Sequence, residues 1–271
     1  MGRLRDPAAI RLLLNEDRIW SVYALGDLLP AGFAKSQWFG PELTLVYSDY
    51  GTCILFAMGE ACVAEALAHV SWPVHLQVRP PAMAVVERMA VVTKRTAMWR
   101  MGWSGDRSGW VHTGRARRLT AADVPALERL YADGLESREA PDFFFPAMVD
   151  DGVFFGVFDG DELAAAAGTH LYARAEGVAA IGNVYTCRDR RGMGLGREVT
   201  CATLRELAIL ETVGLNVRVD NAAAIRVYES LGFRKHCEFF EGLARSVSEI
   251  SSAVRQGRTS PQSRNYTFWF Q

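Results

Sequence analysis

The sequence predicts a mixed α/β protein made of two consecutive units. Three observations carry that prediction. Short strand-like apolar runs interleave with segments of helical period along most of the chain. A Gly- and Ser-rich stretch from Gly102 to Gly114 divides them, placing a boundary near residue 112. Finally, a strand-like run enters a helix through the glycine loop Arg191-Gly-Met-Gly-Leu-Gly196.

The first unit, residues 1–112, opens on Asp6-Pro7, where Asp can cap a helix and Pro tolerates its first position. Helical patterning, interrupted near Asn15–Asp17, runs to about Leu29 and is ended by Pro30 and Gly32. Leu43–Tyr47 and Thr52–Met58 read as a hairpin about Ser48–Gly51. A helix over Ala61–His69, a strand over Val74–Val78 closed by Pro80-Pro81, a helix over Ala82–Ala90 and a strand over Arg95–Trp103 follow.

The second unit, residues 113–271 with a core over 115–241, restarts with a short strand at Arg115–Leu119. Thr120-Ala-Ala-Asp123 matches the capping pattern at the head of a helix that runs to about Asp133. Phe143, Phe144 and Phe145 precede three strands, Val153–Phe158, Glu162–Tyr172 and Ala179–Cys187, the first pair turned by Asp159-Gly160. Beyond the glycine loop, Leu195, Val199 and Ala202 mark a helix that Gly214 is expected to stop, before a strand at Leu215–Val219. Asn221 opens the next helix, with Ala224, Val227, Tyr228 and Leu231 on one stripe and Gly232 as its C-terminal cap. Phe233–Phe240 is the last strand; a polar tail from Ser246 leads to the aromatic ending Tyr266–Phe270.

Composition removes several function classes. Lys and Arg number 30 against 31 Asp and Glu, without the basic excess of an electrostatic nucleic-acid binder. Arg115, Arg117 and Arg118 form one local cluster, read as a solvated face. The cysteines (Cys53, Cys62, Cys187, Cys201, Cys237) are an odd number with no C-x-x-C. That argues against a disulfide framework and a zinc site, and suits a reducing compartment. Met1–Ile10 carries no apolar leader and no run reaches the length of a membrane span, so a cytoplasmic protein with no membrane partner is expected.

The loop is phosphate-binding by physics. Glycines let backbone approach an anion, and the following helix offers unpaired N–H groups at its positive end. Arg190, Arg191 and Arg197 add positive charge. A dinucleotide loop would need glycine where Arg197 stands, and a P-loop would need Gly-Lys-Ser/Thr. What remains is Arg191-x-x-Gly194-x-Gly196, with Asn221-Ala-Ala-Ala-Ile-Arg-Val-Tyr228-Glu-Ser-Leu-Gly-Phe233 downstream. These two motifs resemble the GCN5-related N-acetyltransferase (GNAT) superfamily over residues 115 to 241. The runs Ala167–His170 and Ile181–Thr186 look closest to its FR47-like branch.

The resemblance implies a GNAT-type central mixed sheet and acetyl-CoA as acyl donor, with no metal. It implies that Val184, Tyr185 and Thr186 end a strand that splays from its neighbour to pair with the pantetheine arm. Arg191, Gly192, Met193, Gly194, Leu195, Gly196 and Arg197 would hold the pyrophosphate, and Asn221 the pantetheine. Tyr228 would protonate the departing thiolate, which a phenol of pKa near 10 can do at pH 7. A lysine-like acceptor amine must lose a proton at a cost of roughly 4 kcal/mol. His170 and Asp142 are the candidate bases, with Glu176 behind them.

Simpler readings stand beside these: Asn221 as a helix cap, Tyr228 as a packing residue, His170 as a structural histidine, Phe143–Phe145 as core. The expected activity is transfer of an acetyl group to a small amine or amino acid by direct attack in a ternary complex. The alternatives are a non-catalytic acyl-CoA-binding or sensing module and a transferase of a longer acyl group. A homodimer is a candidate assembly, and the first unit a candidate degenerate copy of the second.

Overall fold

The computed structural model describes residues 2–49, 51–137, 139–141 and 143–248. One twelve-stranded mixed sheet runs through both units, in the order β1-β2-β3-β4-β5-β12-β6-β11-β10-β9-β8-β7. The N-terminal strands are β1 (Arg3–Leu4), β2 (Ser36–Phe39), β3 (Thr44–Asp49), β4 (Thr52–Ala57), β5 (Val74–Val78) and β6 (Val91–Trp103). The C-terminal strands are β7 (Ala116–Arg118), β8 (Phe155–Asp159), β9 (Glu162–Ala173), β10 (Val178–Thr186), β11 (Thr212–Arg218) and β12 (Phe233–Arg245).

The halves repeat one order. In the first, β3 and β4 form a hairpin, α4 (Val63–Leu67) crosses to a parallel β5, and α5 (Pro80–Met89) leads to β6. In the second, β9 and β10 form a hairpin, α8 (Leu195–Leu207) crosses to a parallel β11, and α9 (Ala222–Ser230) leads to β12. At the centre the last strands are exchanged. β12 lies between β5 and β6, while β6 lies between β12 and β11, so each half completes the other's sheet.

Helices cover both faces. On one, α1 (Pro7–Asn15) and α2 (Val22–Gly26) join Trp20, Val22 and Leu25 to Met98, Ala173, Val178, Ala180 and Phe239. That cluster contains residues of both units. Farther along this face, α6 (Val124–Ala132) and α7 (Ala147–Asp151) cover Phe154 and Ala166. On the opposite face, α8 and α9 bury Leu204, Leu207, Ile225 and Tyr228 against Ile181, Leu215 and Phe233, and α4 and α5 bury Val63 and Val86 against Val74 and Leu76. The remaining helix, α3 (Pro30–Phe33), is a single turn.

Local chemistry accounts for most boundaries. Asp6 caps α1 through Ala8 N–H (3.0 Å), and the Thr120/Asp123 capping box forms as the spacing predicts. Gly160 (φ 60°) and Gly232 (φ 92°) take the left-handed conformations their turn and cap require. Some expectations are corrected. Pro80-Pro81 begin α5 instead of closing the preceding strand, because proline is tolerated where helix N–H groups have no intrahelical partner. Gly214 does not stop α8, which ends at Leu207; it lies inside β11. A Cβ there would come within 3.3 Å of Val22, so the glycine lets α2 approach the sheet.

The Gly-rich connection is packed. A Cβ on Gly109 would lie 1.6 Å from the Ser230 carbonyl oxygen, and Trp103 stacks on Trp110 with ring centres 6.1 Å apart. The arginine cluster is engaged: Arg115 pairs with Glu198, Arg117 with Asp123 and Arg118 with Glu206. Asp142 and the ending Tyr266–Phe270 lie outside the described residues.

Candidate active site

Strand pairing opens a cleft in the second unit. β10 and β11 pair in parallel from Val178↔Thr212 to Ile181↔Leu215, and stop. Beyond that point β10 continues to Thr186 on the β9 side, while residues 216–218 of β11 pair with β6. The separation coincides with two irregularities in the β9–β10 ladder, between Ala180 and Ile181 and between Gly182 and Tyr185. The second contains Asn183, held at φ 51°. Its carbonyl accepts from Tyr131 (2.9 Å) and its side-chain amide donates to Met148 Sδ (3.6 Å), so α6 and α7 hold the bulge. Val184–Thr186 therefore form a strand end with backbone groups turned toward an opening.

The glycine loop stands at the mouth of this opening. Gly192 (φ 79°) and Gly194 (φ 77°) are left-handed, with no atom within 4 Å of where a Cβ would stand. Gly194 occupies the N-cap of α8 and no side chain caps it, so the first-turn N–H groups remain available to an anion. Gly196 has Thr186 Oγ1 3.2 Å from its Cβ direction, and Met193 is exposed. An open, uncapped helix end beside a splayed strand fits a pyrophosphate with an extended arm.

The arginines are partly committed. Arg191 pairs with Glu139 (3.1 Å), both exposed, and Arg190 with Asp159 (2.9 Å) and Asp189 (2.6 Å). Such pairs contribute little and can exchange partners with a phosphate. Arg197 donates to the Gly109 carbonyl (2.7 Å), fastening the connection to α8. Tyr185 offers its backbone to the cleft edge but sends its phenol the other way, to Asp133 Oδ2 (2.9 Å).

Asn221 caps α9, its Oδ1 accepting from Ala224 N–H (3.1 Å), so the capping role is realised. Tyr228 packs from α9 into the core shared with β11, its ring 6.1 Å from Phe233. Burial pushes its phenol up to about 12. His170 sits across the sheet from these helices, at the first β9–β10 irregularity. Its Nε2 lies 3.1 Å from Asn183 Oδ1, and a Cβ on Gly182 would strike its ring. Because the Asn183 amide nitrogen faces Met148, its Oδ1 is the acceptor in the contact with Nε2.

Glu176 belongs elsewhere. It lies in the β9–β10 turn, where Arg11 holds it through two bonds of 2.7 and 2.8 Å and keeps its carboxyl below the ordinary range. Two residues on the α2 face carry signals that the sequence reading missed. Asp27, just past α2, has its carboxyl pushed up to about 7 by burial. Arg100 on β6 is wholly buried; the signal was an arginine inside the apolar run Ala97–Trp103. Among the described residues no cluster of His, Cys, Asp and Glu could hold a metal, and no helix is long and apolar enough to cross a membrane.

The uncapped loop, splayed strands and crossover helix fall inside the region that the comparisons recognise. Residues 121–233 match the acetyltransferase (GNAT) family, which gives the chain a C-terminal GNAT domain. It is 36% identical over 138 residues to a mycothiol acetyltransferase of Geodermatophilus obscurus, and 38% over 136 residues to one of Nocardiopsis dassonvillei. These matches cover 48% and 47% of this chain, but 42% and 39% of those proteins. The chain thus spans about two fifths of the length of these curated relatives.

Solved structures resemble more of the chain. A GNAT-family acetyltransferase from Novosphingobium aromaticivorans (22% identical, TM-score 0.58) covers 83% of this chain and 96% of its own. A GCN5-related N-acetyltransferase from Kribbella flavida (17%, TM-score 0.58) covers 87% and 97%. At these identities the likeness concerns the fold, and it extends into both halves.

Proposed function

We propose that the chain is an acetyl-CoA-dependent N-acetyltransferase acting on a small amine or amino acid, with one catalytic unit in residues 113–271. The observation that carries this reading is the strand separation beyond Ile181↔Leu215, with an uncapped glycine-bounded helix end at its mouth. Acetyl-CoA supplies an activated acetyl thioester. In this reading, backbone N–H groups of Arg191–Arg197 hold the pyrophosphate, Val184–Thr186 align the pantetheine amides, and Asn221 bonds the arm with the amide nitrogen its cap leaves unused. Tyr228 holds a proton that burial keeps in place at neutral pH, ready for the thiolate. His170, or Asp27 on the same face, takes the proton of the acceptor amine.

The matched relatives are named for mycothiol, which favours a small-molecule acceptor here too. Residues 1–112 are proposed as a degenerate companion unit. Its counterpart of the glycine loop, Met58–Cys62, leads to a short helix where Ala61 N–H already donates to the Glu42 carboxylate (3.1 Å). Calorimetric titration with acetyl-CoA tests the proposal: one site per chain is expected. A folded sample that binds none refutes it, and two sites refute the assignment of the first unit. Binding without turnover over a broad amine panel would favour the non-catalytic alternative.

A further inference from the structure

Arg100 is 0% exposed, and its three guanidinium nitrogens, Nε, Nη1 and Nη2, have no hydrogen-bond partner among the described residues. Its Cζ lies 4.7 Å from the Tyr23 ring centre and 5.2 Å from those of Trp20 and Phe239. Rings attract the faces of the guanidinium but leave its in-plane N–H donors unsatisfied. A buried charge held this way is costly, and its unpaired edge has the fork geometry that a carboxylate fills with two parallel bonds.

The neighbouring groups complete a pattern. Asn216 is the direct partner of Arg100 across β11 and β6, so their side chains share one face. It is also the first β11 residue past the end of the β10 pairing, at the root of the opening. Its Nδ2 donates to Glu241 Oε1 (3.1 Å), while its Oδ1 is buried with no partner. The Tyr23 hydroxyl is a third buried group without one. Donors without acceptors thus lie beside an acceptor without a donor, with the Glu241 carboxylate adjoining both. Tyr23, Asn216 and Glu241 are each half-buried around the fully buried Arg100, so the set reaches toward the surface. This is the face opposite α8 and α9, two strand spacings, or about 10 Å, from β10.

We propose that this junction is the acceptor subsite and that the acceptor is an α-amino acid, its carboxylate on Arg100 and its amino group directed by Asn216 Oδ1 and Glu241 toward the opening. The assignment rests on the acetyl-transfer reading for its purpose, but its ligand chemistry comes from the orphaned groups alone. It makes the first unit a contributor to specificity, since Arg100 and Tyr23 come from it while Asn216 and Glu241 come from the second.

The test compares L-amino acids with their carboxamides in wild type, Arg100→Met and Arg100→Lys. It reads kcat/KM for acetylation and, separately, thermal stabilisation in the presence of CoA. Wild type should favour the acids by on the order of 100-fold, the scale on which losing one partner of a buried charged pair is felt. Arg100→Met removes an unpaired buried charge in an aromatic setting and should fold. It should abolish the preference and leave acetyl-CoA affinity unchanged, with Arg100→Lys in between.

Equal use of acids and amides by wild type overturns the proposal without needing any variant, and so does an undiminished preference in Arg100→Met. Acetylation of simple amines with no preference for acids would leave the transfer reading standing while the subsite falls. Stabilisation by acids that depends on Arg100, with no turnover, would leave the subsite standing while the transfer reading falls.

Discussion

Removing the Tyr228 hydroxyl isolates its proposed chemistry from its packing. Its ring is buried against Phe233 and the β11 side of the core, and phenylalanine keeps those contacts. Tyr228→Phe should therefore leave melting temperature and acetyl-CoA affinity near the wild-type values. Loss of a general acid in the rate-limiting step costs about 10²–10⁴ in kcat, or roughly 3–5 kcal/mol of barrier. The structure adds a second signature. Burial pushes this phenol up to about 12. At pH 10 an ordinary tyrosine is about half ionised, whereas one titrating two units higher is about 1% ionised. The wild-type rate should thus show no alkaline fall with a midpoint near 10. The assay is release of free CoA thiol, followed at saturating acetyl-CoA from pH 6 to 10.5. A Tyr228→Phe rate within about threefold of wild type would sink the acid assignment; so would an alkaline limb centred at 10 that disappears in the variant.

Two further predictions concern stability and the loop. Burial raises the Asp27 carboxyl from its ordinary range to about 7, so the folded state holds a proton that the unfolded state has lost between about pH 4 and 7. Stability from this group is fully present below about pH 4 and declines as pH rises through 7, by up to a few kcal/mol. Thermal unfolding from pH 5 to 8 should show wild type losing stability and Asp27→Asn losing less; parallel curves would refute the burial argument. Gly194→Ala forces a side chain into a left-handed N-cap at a cost of about 1–2 kcal/mol. Acetyl-CoA affinity should fall about tenfold, whereas Gly51→Ala, equally left-handed (φ 74°) in the β3–β4 turn, should leave it unchanged.

The legible parts of this chain are those whose cause is local. The Asp6 cap, the Thr120/Asp123 box, the Asp159-Gly160 turn and the glycine loop each act within a few residues, and each stands where sequence spacing puts it. Gly214 misleads because its reason is a distant one, the approach of Val22 on α2. Glu176 misleads for the same reason, since the partner that commits it, Arg11, lies far along the chain. The Arg115–Arg118 cluster, by contrast, is solvated as read and adds ion pairs to Glu198 and Glu206 that its sequence could not show. The loop and Tyr228 stood out as motifs. Asp27 could not, because it draws its character from burial alone. Arg100 left only the trace of an arginine inside an apolar run, its burial being set by which strands meet at the centre of the sheet.

That meeting decides how far the halves can act alone. A cut in the connection near residue 112 severs no strand, yet residues 113–271 by themselves would lose β6 from between β11 and β12. They would lose β5 from the other side of β12 as well. Residues 214–218 and both edges of β12 would then present unpaired backbone, which invites association between chains. The same cut strips Trp20, Val22 and Leu25 from Ala173, Val178, Ala180 and Phe239, and removes Arg11 from Glu176. Residues 113–271 expressed alone should therefore aggregate despite carrying the whole GNAT motif set. Co-expression with residues 1–112 as a separate chain should restore a soluble complex that binds acetyl-CoA, because the exchanged strands survive the cut. Light scattering and calorimetry of the two preparations decide it. A monomeric 113–271 with undiminished affinity would show that the exchange is dispensable. The expected outcome would show instead that the catalytic unit is contiguous in sequence but not in space.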